Sequence, residues 1–408
     1  MRKTPKGLRL HIGIFGRRNV GKSSLLNAIT KQETAIVSPV AGTTTDPVEK
    51  TMELHPFGPV VFIDTAGIDD EGDLGNQRIQ RSLRAIRRTE LALLVTDEWT
   101  DFEARIFTQL RKKEGLPVIV VVNKADLRDP APTVEAAKNA GADPVMVVSA
   151  LNRTGIAQLH QKIVELAPES NLQSPTILAD LVPPGGLAVL VVPIDKEAPK
   201  GRLILPQVQT IRDLLDNDAM ALVVKERELA PALRRLNQPP DIVVTDSQAF
   251  LKVAADTPPE IPMTSFSILF ARLKGELNTF VRGALAIEDL EMNDKVLIAE
   301  SCTHHPIADD IGRVKIPRWL EQYTGMKLQF DIAAGHDFPD DITQYKLIIH
   351  CGGCMTNRRQ ILSRLAAAGD AGVPITNYGL AIAYTLGIFP RALQPFPGAL
   401  EILKQHQQ

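Results

Sequence analysis

All three cysteines of this chain fall into one pattern: Cys302-Thr303-His304, then 46 residues, then Cys351-Gly352-Gly353-Cys354. A CxxC pair and a third thiolate from a distant segment offer three soft metal ligands, and no cysteine is left over for a disulfide. Three chemistries fit this set. An iron–sulfur cubane takes four ligands, usually all cysteine, so three leave one iron open or held by a weaker ligand. Structural zinc in a Cys₃His site, completed by His304 or His305, is the second. A redox CxxC is the third, disfavoured because Cys351 follows a strand-like run without a thioredoxin-like setting.

A second constellation opens the chain. Gly16-Arg-Arg-Asn19-Val-Gly21-Lys22-Ser23 fits the G-x4-G-K-S/T loop, set between an apolar strand-like run and a helical pattern at Ser24–Ile29. Its glycines let backbone N–H groups cradle phosphates, and the helix N-terminus, with Ser24 in its first turn, favours the anion. Lys22 is expected on the β- and γ-phosphates and Ser23 on Mg²⁺. Asp64-Thr-Ala-Gly67 follows the run Val60–Ile63. There Asp64 holds Mg²⁺ through water and the Gly67 N–H meets the γ-phosphate. Gly42-Thr43-Thr44-Thr45-Asp46 supplies a threonine for Mg²⁺ and γ-phosphate, Thr44 by preference and Thr43 next. Asn123-Lys124-Ala125-Asp126 follows another apolar run, and the Asp126 carboxylate accepts from guanine N1–H and N2–H, a pairing adenine cannot make. Ser149-Ala150 adds a backbone contact to guanine O6. Five motifs in this order predict a GTP site.

These residues need elements to bring them together. From residue 8 to about 168, apolar runs at Leu10–Phe15, Val60–Ile63, Leu91–Thr96, Pro117–Asn123 and Pro144–Ser149 alternate with amphipathic stretches. That alternation predicts a parallel sheet covered on both faces, the setting in which ligands gather beyond the strands' carboxyl ends. A proline-bracketed polar stretch, Pro168–Pro175, reads as a linker. The runs Leu187–Ile194, Ala219–Lys225 and Asp241–Asp246, with helical patterns near Thr210–Leu215 and Glu228–Leu236, form a second α/β unit without a catalytic constellation. Asp256–Pro262 marks the next boundary. Beyond it, Asp294–Ser301, Lys346–His350 and Val373–Thr376 read as buried strands, and Cys302 and Cys351 each directly follow one. The expected architecture is α/β throughout: a P-loop GTPase domain at 1–172, then two smaller α/β domains with mainly parallel sheets, 180–262 as a connector or oligomerisation module and 263–408 carrying the cysteines.

Composition sets the outer limits. At 408 residues, with 44% hydrophobic and 23% charged side chains, the chain is of ordinary globular composition and long enough for two or three domains. Its net charge of −2 argues against a nucleic-acid or anionic-membrane partner. No apolar run approaches the ~20 residues of a spanning helix, and the basic N-terminus lacks a signal-peptide core, so a cytoplasmic protein is expected. Arg78, Arg81, Arg84, Arg87 and Arg88 recur at near-helical spacing after Gly67 and read first as a solvated face, second as a nucleotide-sensitive contact surface.

The G-x-x-N-x-G-K-S and G-T-T-x-D motifs resemble those of the TrmE–Era–EngA branch of GTPases. In potassium-dependent members of that branch the loop asparagine helps ligate K⁺, a role the resemblance carries to Asn19. Ile68 stands where Ras-like enzymes have a water-orienting glutamine, so intrinsic hydrolysis is expected to be slow unless K⁺ and a second protomer compensate. With C-x-H-x46-C-x-x-C behind such a head, the whole chain resembles the FeFe-hydrogenase maturation GTPases, the HydF family. The resemblance implies a 4Fe–4S cluster on Cys302, Cys351 and Cys354; the family's C-x-H histidine, whose ligand status varies, falls on His304. It implies a homodimer, and a scaffold and carrier that receives a two-iron CO/cyanide precursor from radical-SAM maturases and delivers it to apo FeFe-hydrogenase. Residues near the strand ends that could bind or orient that guest are His304, His305, His350 and Asn377, each read equally well as a loop residue or a satisfied side chain. A ribosome- or tRNA-associated GTPase with a structural zinc domain is the alternative, disfavoured by the acidic net charge and the lack of a basic, aromatic-bearing RNA module. A GTP-gated redox enzyme is a third reading, with no evident substrate pocket.

Overall fold

The computed structural model describes residues 6–30, 48–55, 57–65, 85–113, 115–168, 176–194, 203–301, 310–335 and 337–407. The chain divides into two compact units, Met1–Ser174 and Pro175–Gln408.

The first unit is built on a six-stranded sheet: β1 (His11–Phe15), β2 (Val48–Leu54), β3 (Gly58–Asp64), β4 (Leu91–Thr96), β5 (Val118–Val122) and β6 (Val145–Val147), in the order β2-β3-β1-β4-β5-β6. Central strands such as Val-Ile-Val-Val-Val are apolar at every position because both faces are covered. Side chains alternate faces with period two. Ile12, Ile14, Val60, Phe62, Leu93 and Val121 enter one core, while Phe15, Val61, Ile63, Leu94 and Val120 enter the other. All neighbours run parallel except β2, which pairs antiparallel with β3 from Val48↔Asp64 to Leu54↔Gly58. At this edge Met52 and Leu54 are buried while Thr51 and Glu53 face out, an alternation too short and polar to stand out among the neighbouring apolar runs.

The second unit holds two four-stranded sheets, each parallel throughout. One contains β7 (Leu187–Val191), β8 (Met220–Val224), β9 (Ile242–Thr245) and β10 (Met263–Ser265), ordered β10-β9-β7-β8. The other contains β11 (Lys295–Ala299), β12 (Gln329–Ala333), β13 (Leu347–His350) and β14 (Ile375–Asn377), ordered β12-β11-β13-β14. Met263–Ser265, which the sequence pattern assigns to the third segment, is the edge of the middle sheet, paired with Val243–Thr245. The helix Phe266–Lys274 leaves that strand directly, and one hydrophobic core runs from Ile177 to Leu403. In the second sheet Ala299 pairs with His350 and His350 with Asn377, so the carboxyl ends of β11, β13 and β14 stand side by side. Among the described residues no helix is long and apolar enough to cross a membrane.

Candidate functional site

The first unit brings its motif residues to one edge of the sheet. The loop Gly16–Gly21 leaves β1 and feeds the helix Lys22–Thr30; Asp64 ends β3; Asn123 follows β5; Ser149 lies beyond β6. Gly21 has φ +92°, and a Cβ there would lie 2.3 Å from Asn123 Nδ2, so both its backbone conformation and its close approach demand glycine. Asn19 also takes a left-handed φ, 63°, which asparagine tolerates, at an exposed position of the loop. Ser23 and Ser24 are exposed in the first helical turn, where unpaired N–H groups and the helix dipole favour an anion. Lys22 Nζ donates to Gly16 O at 2.8 Å and Arg17 O at 2.6 Å, which keeps the ammonium against the loop.

Asn123 joins two of these segments. Its Nδ2 donates to Val20 O at 2.9 Å, and its Oδ1 accepts from the Ala150 N–H at 3.0 Å. Asp126 is exposed, with Oδ1 accepting from the Ser149 hydroxyl at 2.5 Å; that hydroxyl also accepts from the Asn152 N–H. Lys124, at φ 63°, donates from Nζ to Asp97 Oδ2 at 2.8 Å. Burial raises the pKa of Asp64, and the Lys22 and Lys50 charges oppose that rise. A dication beside Asp64 would offset the same desolvation. Thr43, Thr44 and Gly67 lie outside the described residues.

A support layer around the loop was invisible to motif reading. Arg17 donates from Nε to Glu103 Oε1 at 2.8 Å and from Nη2 to Glu98 O at 3.0 Å. Glu103 is fully buried, and its Oε2 also takes the Thr100 N–H and hydroxyl in a capping box on the helix Asp101–Arg111. The T-x-x-E spelling of that box was the one available signal. Of the arginine series, Arg78, Arg81 and Arg84 lie outside the described residues. Arg88 departs from the expected solvated face: it is buried and paired with Glu49 on β2. Periodicity located the helix end, but the partner comes from a strand that the pattern did not reveal.

The second site lies at the carboxyl edge of β11, β13 and β14. Cys351 directly follows β13; its N–H donates to Ala299 O at 2.9 Å, and its Sγ accepts from the Ser301 N–H at 3.1 Å. Ser301, which precedes Cys302 in sequence, thus touches the CxxC pair; Cys302, His304 and His305 themselves lie outside the described residues. The turn Cys351–Cys354 places Gly353 at φ +63°, where a Cβ would meet Ile361 Cδ1 at 2.9 Å. Cys354 accepts from its own and the Met355 backbone N–H groups, and lies near both Cys351 and the Lys274 ammonium. Burial first, and then Cys351, push its thiol up to about 11, against the N–H donors and Lys274. Backbone donors aimed at both sulfurs suit thiolate ligation, and metal binding would displace the proton that burial retains. Among the described residues no group of three or more His, Cys, Asp or Glu side chains is placed to hold a metal.

Two residues expected near the guest have other work. His350 is 1% exposed, its Nε2 lies 2.7 Å from Arg364 Nη1, and its Nδ1 lies 2.6 Å from Cys351 O. Arginine only donates, so Nε2 must accept and Nδ1–H must donate. Burial and then Arg364 push the imidazole down to about 3, against the Cys351 carbonyl, so the ring is neutral with both nitrogens engaged. Asn377 is buried as the N-cap of the helix Tyr378–Thr385, its Oδ1 accepting from the Gly379 and Leu380 N–H groups. Both are fittings of the strand ends and not free ligands. Lys274, which sequence reading missed, reaches the turn instead; a lone lysine closing the apolar helix Phe-Ser-Ile-Leu-Phe-Ala-Arg-Leu-Lys was its only signal.

Residues 278–395 match the hydrogen maturase F tetramerization domain, residues 177–275 the hydrogen maturase F dimerization domain, and residues 11–124 the 50S ribosome-binding GTPase family. The tRNA modification GTPase MnmE of Aquifex aeolicus is 39% identical over 169 residues, which cover 40% of this chain and 36% of that protein. The GTPase Der of Wolinella succinogenes is 38% identical over 179 residues, 41% of this chain and 38% of that protein. The chain thus spans little more than a third of the length of these curated relatives. Among solved structures, the G domain of the T. maritima FeoB iron transporter aligns with a TM-score of 0.31 at 25% identity, over 39% of this chain and 98% of that one.

Proposed function

This chain belongs to the hydrogen maturase F family of GTPases, and from that premise we propose that it is a metallocluster scaffold and carrier governed by its GTPase head. The head takes GTP and Mg²⁺ and hydrolyses GTP. In the proposed site the Gly16–Gly21 backbone and Lys22 hold the phosphates, Ser23 and Thr44 ligate Mg²⁺, and Asp64 orients its water. The Gly67 N–H meets the γ-phosphate. Asp126, braced by the Ser149 hydroxyl, accepts from the guanine edge, with Ala150 beside O6. Asn123 holds the phosphate loop and the base loop in register, and Lys124 is steadied by Asp97. Asn19, exposed on the loop, is the proposed K⁺ ligand.

The cargo side rests on one observation: Cys351 and Cys354 sit at a strand edge where the residue preceding Cys302 donates its N–H to the Cys351 sulfur. The donor set suits a 4Fe–4S cluster on Cys302, Cys351 and Cys354, with His304 at most a labile fourth ligand. Held by Cys302, Cys351 and Cys354, such a cluster would offer an exchangeable iron position for a two-iron CO/cyanide precursor. The protein's part is to hold both thiolates against backbone donors and to keep His350 and Asn377 committed to the scaffold. We assign 180–262 to homodimerisation and 263–408 to cluster binding, with radical-SAM maturases as donors, apo FeFe-hydrogenase as recipient and the cytoplasm as the compartment. Anaerobically purified protein should carry iron and sulfide, and Cys351→Ser or Cys354→Ser should lose most of both along with activation of an apo-hydrogenase. Full activation by an iron-free Cys351→Ser protein would overturn the scaffold reading.

A further inference from the structure

We infer that Lys274 is a positioning residue of the cysteine site: a fixed, buried cation that holds the Cys351–Cys354 turn in shape and offsets the negative charge that the thiolates gather there. The inference rests on the cluster reading above and adds a residue that the cysteine motif does not contain.

Lys274 closes the helix Phe266–Lys274 and is only 2% exposed, rare for a lysine, whose charge is costly to bury without compensation. Its Nζ donates to Gly353 O at 3.0 Å, Thr356 O at 2.5 Å and, more weakly, Cys354 O at 3.4 Å. The partners lie 79 to 82 residues further along the sequence and all belong to the cysteine turn or the residues just after it. Three N–H donors directed at three successive segments of one turn fix its path. The Cys354 sulfur lies within electrostatic reach of the ammonium, so a thiolate-bound anionic group there meets a full positive charge in a poorly screened setting.

A second cation makes the reverse contact and provides a control. Arg358, in the first turn of the helix Arg358–Asp370, donates to Leu273 O at 2.7 Å and Gly275 O at 3.3 Å. It ties the same two segments together, yet it is exposed, so its charge is screened by water. Arg358 therefore reports the mechanical link, and Lys274 the link plus the charge.

The full-length protein, reconstituted anaerobically with iron and sulfide, separates the two. Lys274→Met should lower the cluster's midpoint potential in a dye-mediated titration, with the reduction equilibrium falling at least tenfold, about 59 mV for one electron. The reduced cluster's EPR spectrum should shift with it. Lys274→Arg should restore most of the potential, and Arg358→Met should leave it near wild type. Lys274→Gln keeps a donor to the carbonyls without the charge, and carries the test should Lys274→Met fold poorly. A wild-type potential in iron-loaded Lys274→Met or Lys274→Gln overturns the inference, whereas a wild-type chain that takes up no iron overturns the cluster reading on which it stands.

Discussion

Asn123 is 4% exposed and joins the phosphate loop to the base-binding segment through Val20 O at 2.9 Å and the Ala150 N–H at 3.0 Å. Replacing it by alanine removes both bonds and leaves a carbonyl and an N–H without their partner in a dry corner beneath Gly21. Each lost bond costs about 1–1.5 kcal/mol when its partner stays buried, so Asn123→Ala forfeits roughly 2–3 kcal/mol. If that loss falls on the nucleotide-bound arrangement, GTP binds about 30- to 150-fold more weakly. Titration with a fluescent GTP analogue measures the affinity, and urea unfolding of the nucleotide-free protein reads the share borne by stability. Iron content should stay at the wild-type level, since the cysteines belong to the other compact unit. Affinity within twofold of wild type, together with unchanged unfolding, would refute the bridging role.

GTP hydrolysis should run faster in K⁺ than in Na⁺, and Asn19→Ala should abolish the difference; equal steady-state rates in the two salts would remove Asn19 from the cation site. His350→Leu should destabilise the second unit by about 1–3 kcal/mol in chemical unfolding, because it leaves Arg364 and the Cys351 carbonyl without their shared partner. The EPR spectrum of bound iron should not change, and a spectral change would restore His350 as a ligand. Strand β8 lies at the edge of its sheet, with Met220 and Val223 exposed at 53% and 43%, the kind of edge that pairs with another chain. Val223→Lys should therefore shift the protein to lower mass in light scattering, and an unaltered mass would direct the dimer search elsewhere in 180–262.

The local text of the sequence carried much of the scaffold. Buried parallel strands are short, continuous apolar runs, so β7, β9, β11 and β13 are found where Leu187–Ile194, Asp241–Asp246, Asp294–Ser301 and Lys346–His350 were expected, with ends trimmed by a few residues. The nucleotide motifs were equally legible, because a phosphate loop needs particular residue types at fixed spacing on one continuous stretch. Two edge strands, β2 and β12, were not, although β6, β8 and β14 at other sheet edges were. Val48–Leu54 and Gln329–Ala333 mix charged and apolar residues, since only part of their surface is covered, and their signal falls below that of their neighbours. Partnerships across the chain were beyond reach for a different reason. Periodicity states which face of an element is buried but not what covers it, so nothing singled out Lys274, and His350 stayed open between a guest ligand and a satisfied histidine. Only packing could bring Arg364 to that imidazole, Arg88 to Glu49, and a lysine some eighty residues away to the carbonyls of the cysteine turn.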